Sequence, residues 1–321
     1  METSKSDITS IEKIVISFKD VKKEVSKVII GQDLIINQLL MTVFSGGHSV
    51  LIGVPGLAKT LLVNSVAKTL GLKFNRIQFT PDLMPSDIVG SEILDENRNF
   101  KFIKGPLFSN IILADEINRT PPKTQSALLE AMQEKSVTAA GTTYRMDEPF
   151  FVLATQNPIE QEGTYPLPEA QLDRFMFNIE VGYPTFEEEL QIVKSTTGDF
   201  NAQVSEVLTA SEIIEFQKLI RKVPVSDTVY EYAVSLASAT RPESNKAKDI
   251  TREYIAWGAG PRASQYLILG AKAHAALHGK YSPDSEDVFA VAEPILRHRI
   301  VKNYKAEAEG IKIEQIIKEL V

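Results

Sequence analysis

The spacing of apolar residues changes once along the chain, near Pro184, and divides the sequence into two parts. Before that point, short apolar runs typical of buried strands alternate with stretches in which apolar residues recur every three or four positions, as on one face of a helix. Such alternation is typical of an α/β domain built on a parallel sheet. The predicted strands cover residues 50–52, 74–79, 111–114, 150–154 and 175–179. A helix is predicted over 122–134, after the third of these strands.

Beyond Pro184 the strand patterns cease and helical patterns continue to the end. The predicted helices cover residues 187–195, 211–221, 227–240, 261–278 and 283–300. We place the boundary in the polar stretch 195–205, so that an α/β domain with an N-terminal helix (1–195) precedes a smaller all-helical domain (196–321). Two further pairs of short apolar runs, at 93–103 and 137–146, predict hairpins within the α/β domain.

A glycine-rich loop follows the first predicted strand directly, and a helix beginning near Leu61 follows the loop. The loop reads Gly53-Val54-Pro55-Gly56-Leu57-Ala58-Lys59-Thr60. Unpaired amide groups and the dipole at such a helix start attract phosphate oxygens. Lys59 would reach the β- and γ-phosphates of a nucleotide, and the Thr60 hydroxyl would ligate Mg²⁺. Ala58 stands where the pattern G-x-x-x-x-G-K-[ST] has its last glycine, so we expect a negative φ at this residue.

Two carboxylates follow the third predicted strand. Asp115 and Glu116 would lie at the carboxyl edge of the sheet, beside the glycine loop, because ligands bind at that edge of open parallel sheets. Asp115 would complete the magnesium shell with Thr60 through water. Glu116 would polarise the water that attacks the γ-phosphate. Without a phosphate loop, the simpler interpretation would be that the pair caps the next helix.

Three further polar residues are candidates for the same site. Asn157 follows the fourth strand and would orient water or contact the γ-phosphate, although Asn-Pro is also an ordinary turn signal. Arg174 would reach the γ-phosphate of a neighbouring subunit as an arginine finger, unless it forms a salt bridge with Asp173, Glu169 or another carboxylate. Arg262 lies in the first turn of a predicted helix, where the dipole disfavours a cation. Nucleotide phosphate would supply a compensating anion, although exposed arginines also occur at helix starts.

Composition narrows the class of function. The 321 residues carry a formal net charge of −7, which disfavours a nucleic-acid partner because such partners bind basic surfaces. The absence of cysteine excludes disulfides, thiolate metal sites and a cysteine nucleophile. No apolar run approaches the ~20 residues of a membrane span, and the first ten residues are unlike a signal peptide. We therefore expect a cytoplasmic protein.

The order of these motifs resembles that of the AAA+ ATPases. Within that superfamily, GVPGLAKT, ADEINRTPPKTQSALLEAMQE, GPRAS and the stretch ending in TYPLPEAQLDRF look like the MoxR family, in which alanine is usual at the position of Ala58. The two predicted hairpins resemble the helix-two insert and the pre-sensor hairpin of one AAA+ clade. By this resemblance Lys59 and Thr60 belong to Walker A, Asp115 and Glu116 to Walker B, and Asn157, Arg174 and Arg262 are sensor one, the finger and sensor two.

The resemblance also implies an architecture and a role. It implies a P-loop NTPase, with a three-layer αβα AAA+ core followed by a small all-helical lid, and with ATP or ADP and Mg²⁺ bound between them. It places Ile29, Ile30 and Gly31 beside the adenine. It implies a homo-oligomeric ring, a hexamer, in which Arg174 acts on the next subunit. The expected role is chaperone-like remodelling or maturation of partners bearing a von Willebrand factor A domain.

Two other functions remain open. A DNA-dependent motor of the same clade would have both hairpins, but the first hairpin mixes Lys101 and Lys104 with acidic residues and makes a poor track for a phosphate backbone. A nucleotide-gated binding module with negligible turnover would use the same site, but the presence of Glu116 argues against it.

Overall fold

The computed structural model describes residues 5–94, 96, 98–139, 141–159, 163–198 and 202–320. Within them the chain forms two compact units. The sheet unit contains Lys19–Leu167 and Ile179–Ile214, and the helical unit contains 5–18, Pro168–Asn178 and 215–320. Each unit is a set of packed segments rather than one continuous stretch of the chain. The units therefore do not test the predicted boundary after residue 195, which stays a prediction.

Five strands form the central sheet, and their order is that of an α/β core. They are β1 (Ser49–Ile52), β2 (Phe74–Gln78), β5 (Ile111–Asp115), β8 (Phe151–Gln156) and β9 (Phe177–Glu180), in the order β2-β5-β8-β1-β9. The neighbouring pairs β2–β5, β5–β8 and β8–β1 are parallel. Every residue of β5 is buried, as expected of a strand covered on both faces. The predicted parallel sheet is therefore confirmed, with strand ends shifted by one or two residues.

Helices connect these strands at the predicted places. The helix α3 (Lys59–Thr69) follows β1 after the glycine loop, and α5 (Pro122–Glu134) follows β5. The other helices that lie in or contribute to this unit are α1 (Lys5–Val25), α2 (Asp33–Ser45), α4 (Pro85–Val89), α7 (Phe186–Thr196) and α8 (Ala210–Lys222). Their alternation with the strands gives the predicted three-layer αβα core.

Both predicted hairpins are present as antiparallel ladders. The first consists of β3 (Gly90–Leu94) and β4 (Phe100–Lys104), and the second of β6 (Ser136–Ala139) and β7 (Thr142–Arg145). The rings of Phe102 and Tyr144 stack with their centroids 4.2 Å apart, so the two hairpins pack against each other. Phe100, at the start of β4 beside the connection between the two strands, is exposed, with 74% of the residue accessible.

The helical unit is built around three helices, α9 (Asp227–Ala239), α11 (Pro261–Leu277) and α12 (Ser285–Leu296), which contact one another pairwise. Its remaining helices are α6 (Glu169–Leu172), α10 (Asp249–Tyr254), α13 (Tyr304–Ala308) and α14 (Ile313–Leu320). The helix α12 ends four residues before its predicted end. Pro294 lacks an amide hydrogen for the helical ladder, and the tighter turn Arg297–Arg299 follows.

One feature of the helical unit was not predicted. A short antiparallel ladder joins β10 (Ile255–Trp257) to β11 (Val301–Lys302). Strands of two or three residues are too short to display an alternating pattern, so only the surrounding helices were visible in the sequence. The ladder presents Trp257 to solvent with 71% of the residue exposed.

Within the described part of the chain, no helix is both long enough and apolar enough to cross a membrane.

Candidate functional site

The glycine loop lies between β1 and α3, as the sequence predicted. Gly53 follows β1 so closely to Val181 that a β-carbon at this position would lie 2.7 Å from the Val181 carbonyl oxygen. Gly56 has a φ of +87° and has open space where a β-carbon would be. Glycine is therefore required at the first position by close approach and favoured at the second by backbone conformation. The amide groups at the start of α3 complete a loop of the kind that binds phosphate.

The backbone at Ala58 differs from the prediction. A negative φ was expected there, but Ala58 has a φ of +54° and lies in the left-handed region immediately before α3. The expectation was wrong because the loop must reverse direction at this residue to begin the helix. A left-handed alanine costs roughly 1–2 kcal/mol, a strain that the surrounding fold must offset.

Lys59 is folded back over its own loop. Its ammonium group donates hydrogen bonds to the carbonyl oxygens of Gly53 and Val54, the second at 3.3 Å. Partial burial lowers the pKa of Lys59, while the carboxylates of Asp115 and Glu116 oppose that shift. The structure therefore brings the cation of the loop within electrostatic range of both predicted Walker B carboxylates.

Asp115 ends β5 and is almost fully buried. One carboxylate oxygen, Oδ1, accepts a hydrogen bond from the Thr155 hydroxyl at 2.5 Å. The other, Oδ2, accepts from Arg76 Nε at 2.9 Å and from Arg76 Nη2 at 2.7 Å. These bonds fix the orientation of the carboxylate, and Arg76 neutralises its charge.

Glu116 follows in an uncommon conformation, with a φ of +57°. Its Oε2 accepts hydrogen bonds from Gln78 Nε2 at 2.8 Å and from Arg119 Nη1 at 3.0 Å, and its amide donates to the Thr155 hydroxyl at 2.8 Å. The short helical turn Ile117–Arg119 follows, and the Glu116 side chain makes no capping bond to it. The geometry therefore argues against the alternative that the Asp-Glu pair simply caps the next helix.

Sequence reasoning missed Arg76 and Gln78. Both lie on β2, two residues apart and hence on the same face, and the ladder aligns Gln78 with Asp115. The available signal was the pair of polar residues that flank Ile77 in a predicted strand of the sheet. Without the strand order, that signal could not show that β2 lies next to β5.

Asn157 lies directly after β8, which is the neighbour of both β5 and β1 in the sheet. The residue is buried, and its Oδ1 accepts a hydrogen bond from the Ile159 amide at 3.1 Å. This is the local turn that the Asn-Pro sequence predicted. The structure thus places Asn157 at the correct edge of the sheet, and it also shows the turn that was the simpler interpretation.

The oxygen donors of the sheet unit suit magnesium. Thr60 lies in the first turn of α3, one residue after Lys59, and Asp115 supplies a carboxylate at the end of β5. A hydroxyl and a carboxylate are hard ligands of the kind that Mg²⁺ prefers, with water completing its shell. The residues present therefore fit this cation.

The predicted adenine segment is connected to the glycine loop. Ile29 is buried, Ile30 is half-buried, and Gly31 has a φ of +75° that favours glycine. The next residue, Gln32, donates from Nε2 to the Leu57 carbonyl oxygen at 3.4 Å. The segment 29–31 is thus held near the loop within the same unit.

The two predicted arginines lie in the helical unit, where both are associated with Asp173. Arg262, in the first turn of α11 as predicted, binds Asp173 with Nη1 and Oδ2 3.1 Å apart. The other oxygen of Asp173 accepts from Arg299 Nε at 2.7 Å. Asp173 therefore supplies the anion that the position of Arg262 requires, a partner that the sequence did not reveal.

Arg174 is the residue after Asp173 and belongs to the same packed segment. Its carbonyl oxygen accepts a hydrogen bond from the Tyr266 hydroxyl at 3.1 Å, one turn along α11 from Arg262. Arg174, through its backbone carbonyl, and Arg262, through its side chain, thus belong to one hydrogen-bonded group of residues. Asp173, one of the carboxylates weighed as partners of Arg174, binds Arg262 and Arg299.

Comparisons with known proteins agree with this geometry. Residues 48–177 match the family described as ATPase family associated with various cellular activities (AAA), and residues 247–320 match the AAA lid domain. Chaperone MoxR1 of Mycobacterium tuberculosis is 44% identical over 92% of this chain and 78% of its own. Protein MoxR of Paracoccus denitrificans is 30% identical over 88% of each chain. The crystal structure of a candidate ATPase from Cytophaga hutchinsonii is 49% identical, with a TM-score of 0.92 over 98% of this chain and 96% of that one.

Proposed function

Because this chain belongs to the MoxR family of AAA+ ATPases, we propose that it binds ATP with Mg²⁺ at the glycine loop and hydrolyses the γ-phosphate. One observation carries the proposal most directly. Lys59 in the loop lies within electrostatic range of Asp115 and Glu116, which come from a different strand. A cation for phosphate, a carboxylate for a metal and a carboxylate for water are the groups that such a reaction needs.

Each candidate site residue of the sheet unit has a role in this proposal. The glycine loop, Gly53–Thr60 with Lys59 in it, and the following Leu61 hold the phosphates. The segment 29–31 holds the adenine. Thr60 and Asp115 hold Mg²⁺, which when bound neutralises charge on the phosphate oxygens. Glu116 accepts the proton of the attacking water. Both hydrogen bonds to Glu116 use Oε2, so we assign Oε1 to that water. Asn157 orients the same water.

The arginines of the helical unit act on charge that develops during the reaction. We propose that Arg174 is the finger for the γ-phosphate of a neighbouring subunit and that Arg262 is sensor two. A finger acting in trans requires a closed homo-oligomer, and we propose a hexameric ring. The hydrogen bond from Tyr266 to the Arg174 carbonyl oxygen supports this role, because it holds the backbone from which a transition-state contact would be made.

The cellular role that we propose is chaperone-like. The name of the relative Chaperone MoxR1 supports such a role for this chain. We propose that ATP turnover in the cytoplasm drives remodelling or maturation of partner proteins that carry a von Willebrand factor A domain. A DNA-dependent motor is less well supported, because the exposed residues of the first hairpin include Ile93, Leu94 and Phe100, which offer no charge to a phosphate backbone.

The test is ATP hydrolysis measured against protein concentration, for the wild type and for Glu116→Gln. Turnover that rises more steeply than linearly, and that is lost in the variant, supports a site shared between subunits. Strictly proportional turnover contradicts the trans role of Arg174. Bound ATP without turnover in both proteins would favour the nucleotide-gated binding module. Stimulation by single-stranded DNA that disappears with added salt would favour the motor.

A further inference from the structure

The carboxylate assigned to Mg²⁺ is already bound to a cation of the protein itself. Arg76 donates from both Nε and Nη2 to Oδ2 of Asp115, at 2.9 and 2.7 Å. The second oxygen, Oδ1, is taken by the Thr155 hydroxyl. A buried carboxylate without a partner is costly, and Arg76 removes that cost when no metal is bound.

The two members of this ion pair differ in their access to solvent. The Asp115 side chain is 12% exposed, whereas that of Arg76 is 47% exposed. If the pair separates, the guanidinium returns to water at little cost, but the carboxylate needs another cation in its place. The pair is therefore suited to exchange, and the partner that leaves is the arginine.

We propose that Arg76 is a positioning residue that holds the Asp115 carboxylate in place of the divalent cation and is displaced when Mg²⁺ enters with nucleotide. This inference rests on the proposed function, since it assigns Asp115 to the metal. It goes beyond that function by naming a residue of the edge strand β2 as a competitor of the cation. Arg76 thereby sets the Mg²⁺ concentration that the site requires.

The competition extends to the second carboxylate through one side chain. Arg76 Nη2 also donates to Gln78 Oε1 at 2.5 Å, and this bond fixes which way the Gln78 amide points. With its oxygen toward Arg76, the amide directs Nε2 to Glu116 Oε2 at 2.8 Å. Departure of Arg76 removes the bond that orients Gln78. Metal entry at Asp115 thus loosens the restraint on Glu116.

The test measures Mg²⁺ dependence of nucleotide binding rather than catalysis. Fluorescent ADP is bound to the wild type, to Arg76→Gln and to the charge-matched control Lys68→Gln, and Mg²⁺ is titrated into each. Lys68 is exposed in the last turn of α3 and belongs to the same unit. Removing the competitor should lower the half-saturating Mg²⁺ by about tenfold in Arg76→Gln, the effect of one charge-assisted hydrogen bond, and leave it unchanged in Lys68→Gln.

The outcomes separate this inference from the proposed function. Mg²⁺-dependent binding with the same half-saturation in wild type and Arg76→Gln overturns the role of Arg76 alone. An increase in the variant overturns it too, because Arg76 would then be helping the cation to bind. No Mg²⁺-dependent binding in the wild type overturns both. A shift of equal size in Lys68→Gln means that net charge is the cause, which also contradicts the proposal.

A second measurement is made on the wild-type protein, so it does not depend on whether a variant that lacks the ion pair folds. The Arg76 Nε–H resonance of wild-type protein, assigned with Arg76→Lys, is followed by NMR while Mg²⁺ is added to the ADP complex. Displacement predicts a large chemical-shift change together with faster exchange of that proton with water. A resonance that keeps its shift and its slow exchange through saturation would show a permanent structural ion pair and would overturn the proposal.

Discussion

Arg299 and Asp173 form an ion pair in the interior of the helical unit, with Nε and Oδ1 2.7 Å apart and the Arg299 side chain 1% exposed. The guanidinium also donates to the carbonyl oxygens of Asp173, Phe175 and Met176 at 2.8, 2.6 and 3.3 Å. A single buried cation therefore binds the backbone on both sides of Arg174. The position of the proposed finger depends on a residue 125 positions further along the chain.

We expect Arg299→Met to lower the free energy of unfolding by about 3–5 kcal/mol, because it leaves Asp173 Oδ1 and several carbonyl oxygens without their donor. Urea unfolding followed by circular dichroism measures this loss. The control is Arg252→Met, whose side chain is 52% exposed and which should change stability by no more than about 0.5 kcal/mol. Similar values for the two variants would contradict the assigned role of Arg299.

Lys59→Ala should weaken ATP binding by roughly 10- to 100-fold, since it removes the charged donor from which the phosphate oxygens would accept. Among the described residues, Lys59 bonds only to carbonyl oxygens of its own loop, so folding should be little affected. Titration calorimetry of the folded variant tests this. Lys68→Ala on the same helix is the control and should bind ATP normally. Equal affinity in all three proteins would contradict the phosphate role of Lys59.

Arg174→Ala should bind ATP but hydrolyse it roughly 10³-fold more slowly, the usual effect of losing an arginine finger. Mixing the two inactive variants Arg174→Ala and Glu116→Gln tests whether Arg174 acts on a neighbouring subunit. Glu116→Gln retains Arg174, and Arg174→Ala retains Glu116, so a mixed ring contains sites with one intact residue from each variant. Turnover should therefore reappear when the two inactive proteins are combined. No recovery in mixtures that form rings would mean that Arg174 acts within its own subunit.

Ala58→Gly should raise the free energy of unfolding by up to about 1 kcal/mol. The left-handed φ of +54° strains alanine but not glycine, although glycine gains entropy in the unfolded chain. The control is Ala127→Gly in the interior of α5, where the same substitution should destabilise the protein by about 1 kcal/mol. Changes of the same sign at both positions would show that Ala58 carries no strain.

His48 should make stability depend on pH. Burial lowers its pKa from 6.5 to about 4, against a hydrogen bond to the Met132 carbonyl oxygen that favours the protonated form. The unfolded chain therefore takes up a proton below pH 6.5 while the folded one does not. The stabilisation by neutral His48 is therefore present in full above pH 6.5. As the pH falls from 6.5 toward 4, the free energy of unfolding decreases by about 3 kcal/mol on account of this residue.

The variant His48→Gln isolates this contribution, because all other titrating groups, including the buried His298, are common to both proteins. Its free energy of unfolding should fall less than that of the wild type between about pH 6.5 and pH 4. Parallel curves for the two proteins would contradict the assignment.

The order of elements was predictable because local pattern and global fold agree. The helix α5 begins at Pro122 and ends at Glu134 as predicted, with a proline that suits the first helical turn and an apolar stripe along its length. The loop, the Asp-Glu pair and Asn157 were predicted because parallel strands bring their carboxyl ends to one edge. Such features are encoded within a few neighbouring residues.

The partners of these residues were not predictable, since they depend on tertiary contacts. Arg76 meets Asp115 only because β2 lies beside β5, and the sequence does not state the strand order. Asp173 and Arg299 are 126 positions apart, so no local pattern connects them. The conformation of Ala58 was misjudged for a related reason: intrinsic preference was considered without the turn that the loop must make. In each case tertiary packing determined the side-chain partner or the backbone conformation, and local propensity alone did not.

Trp257 is the single tryptophan of the chain, and it lies on the exposed ladder strand five residues before Arg262. Light absorbed only by indole therefore excites one known position in the helical unit. The protein carries its own optical reporter, and stopped-flow emission can time events near the proposed sensor without an attached dye. Trp257→Phe gives a protein without tryptophan fluorescence. In mixtures of wild type and this variant, only the chosen fraction of wild-type subunits would fluoresce.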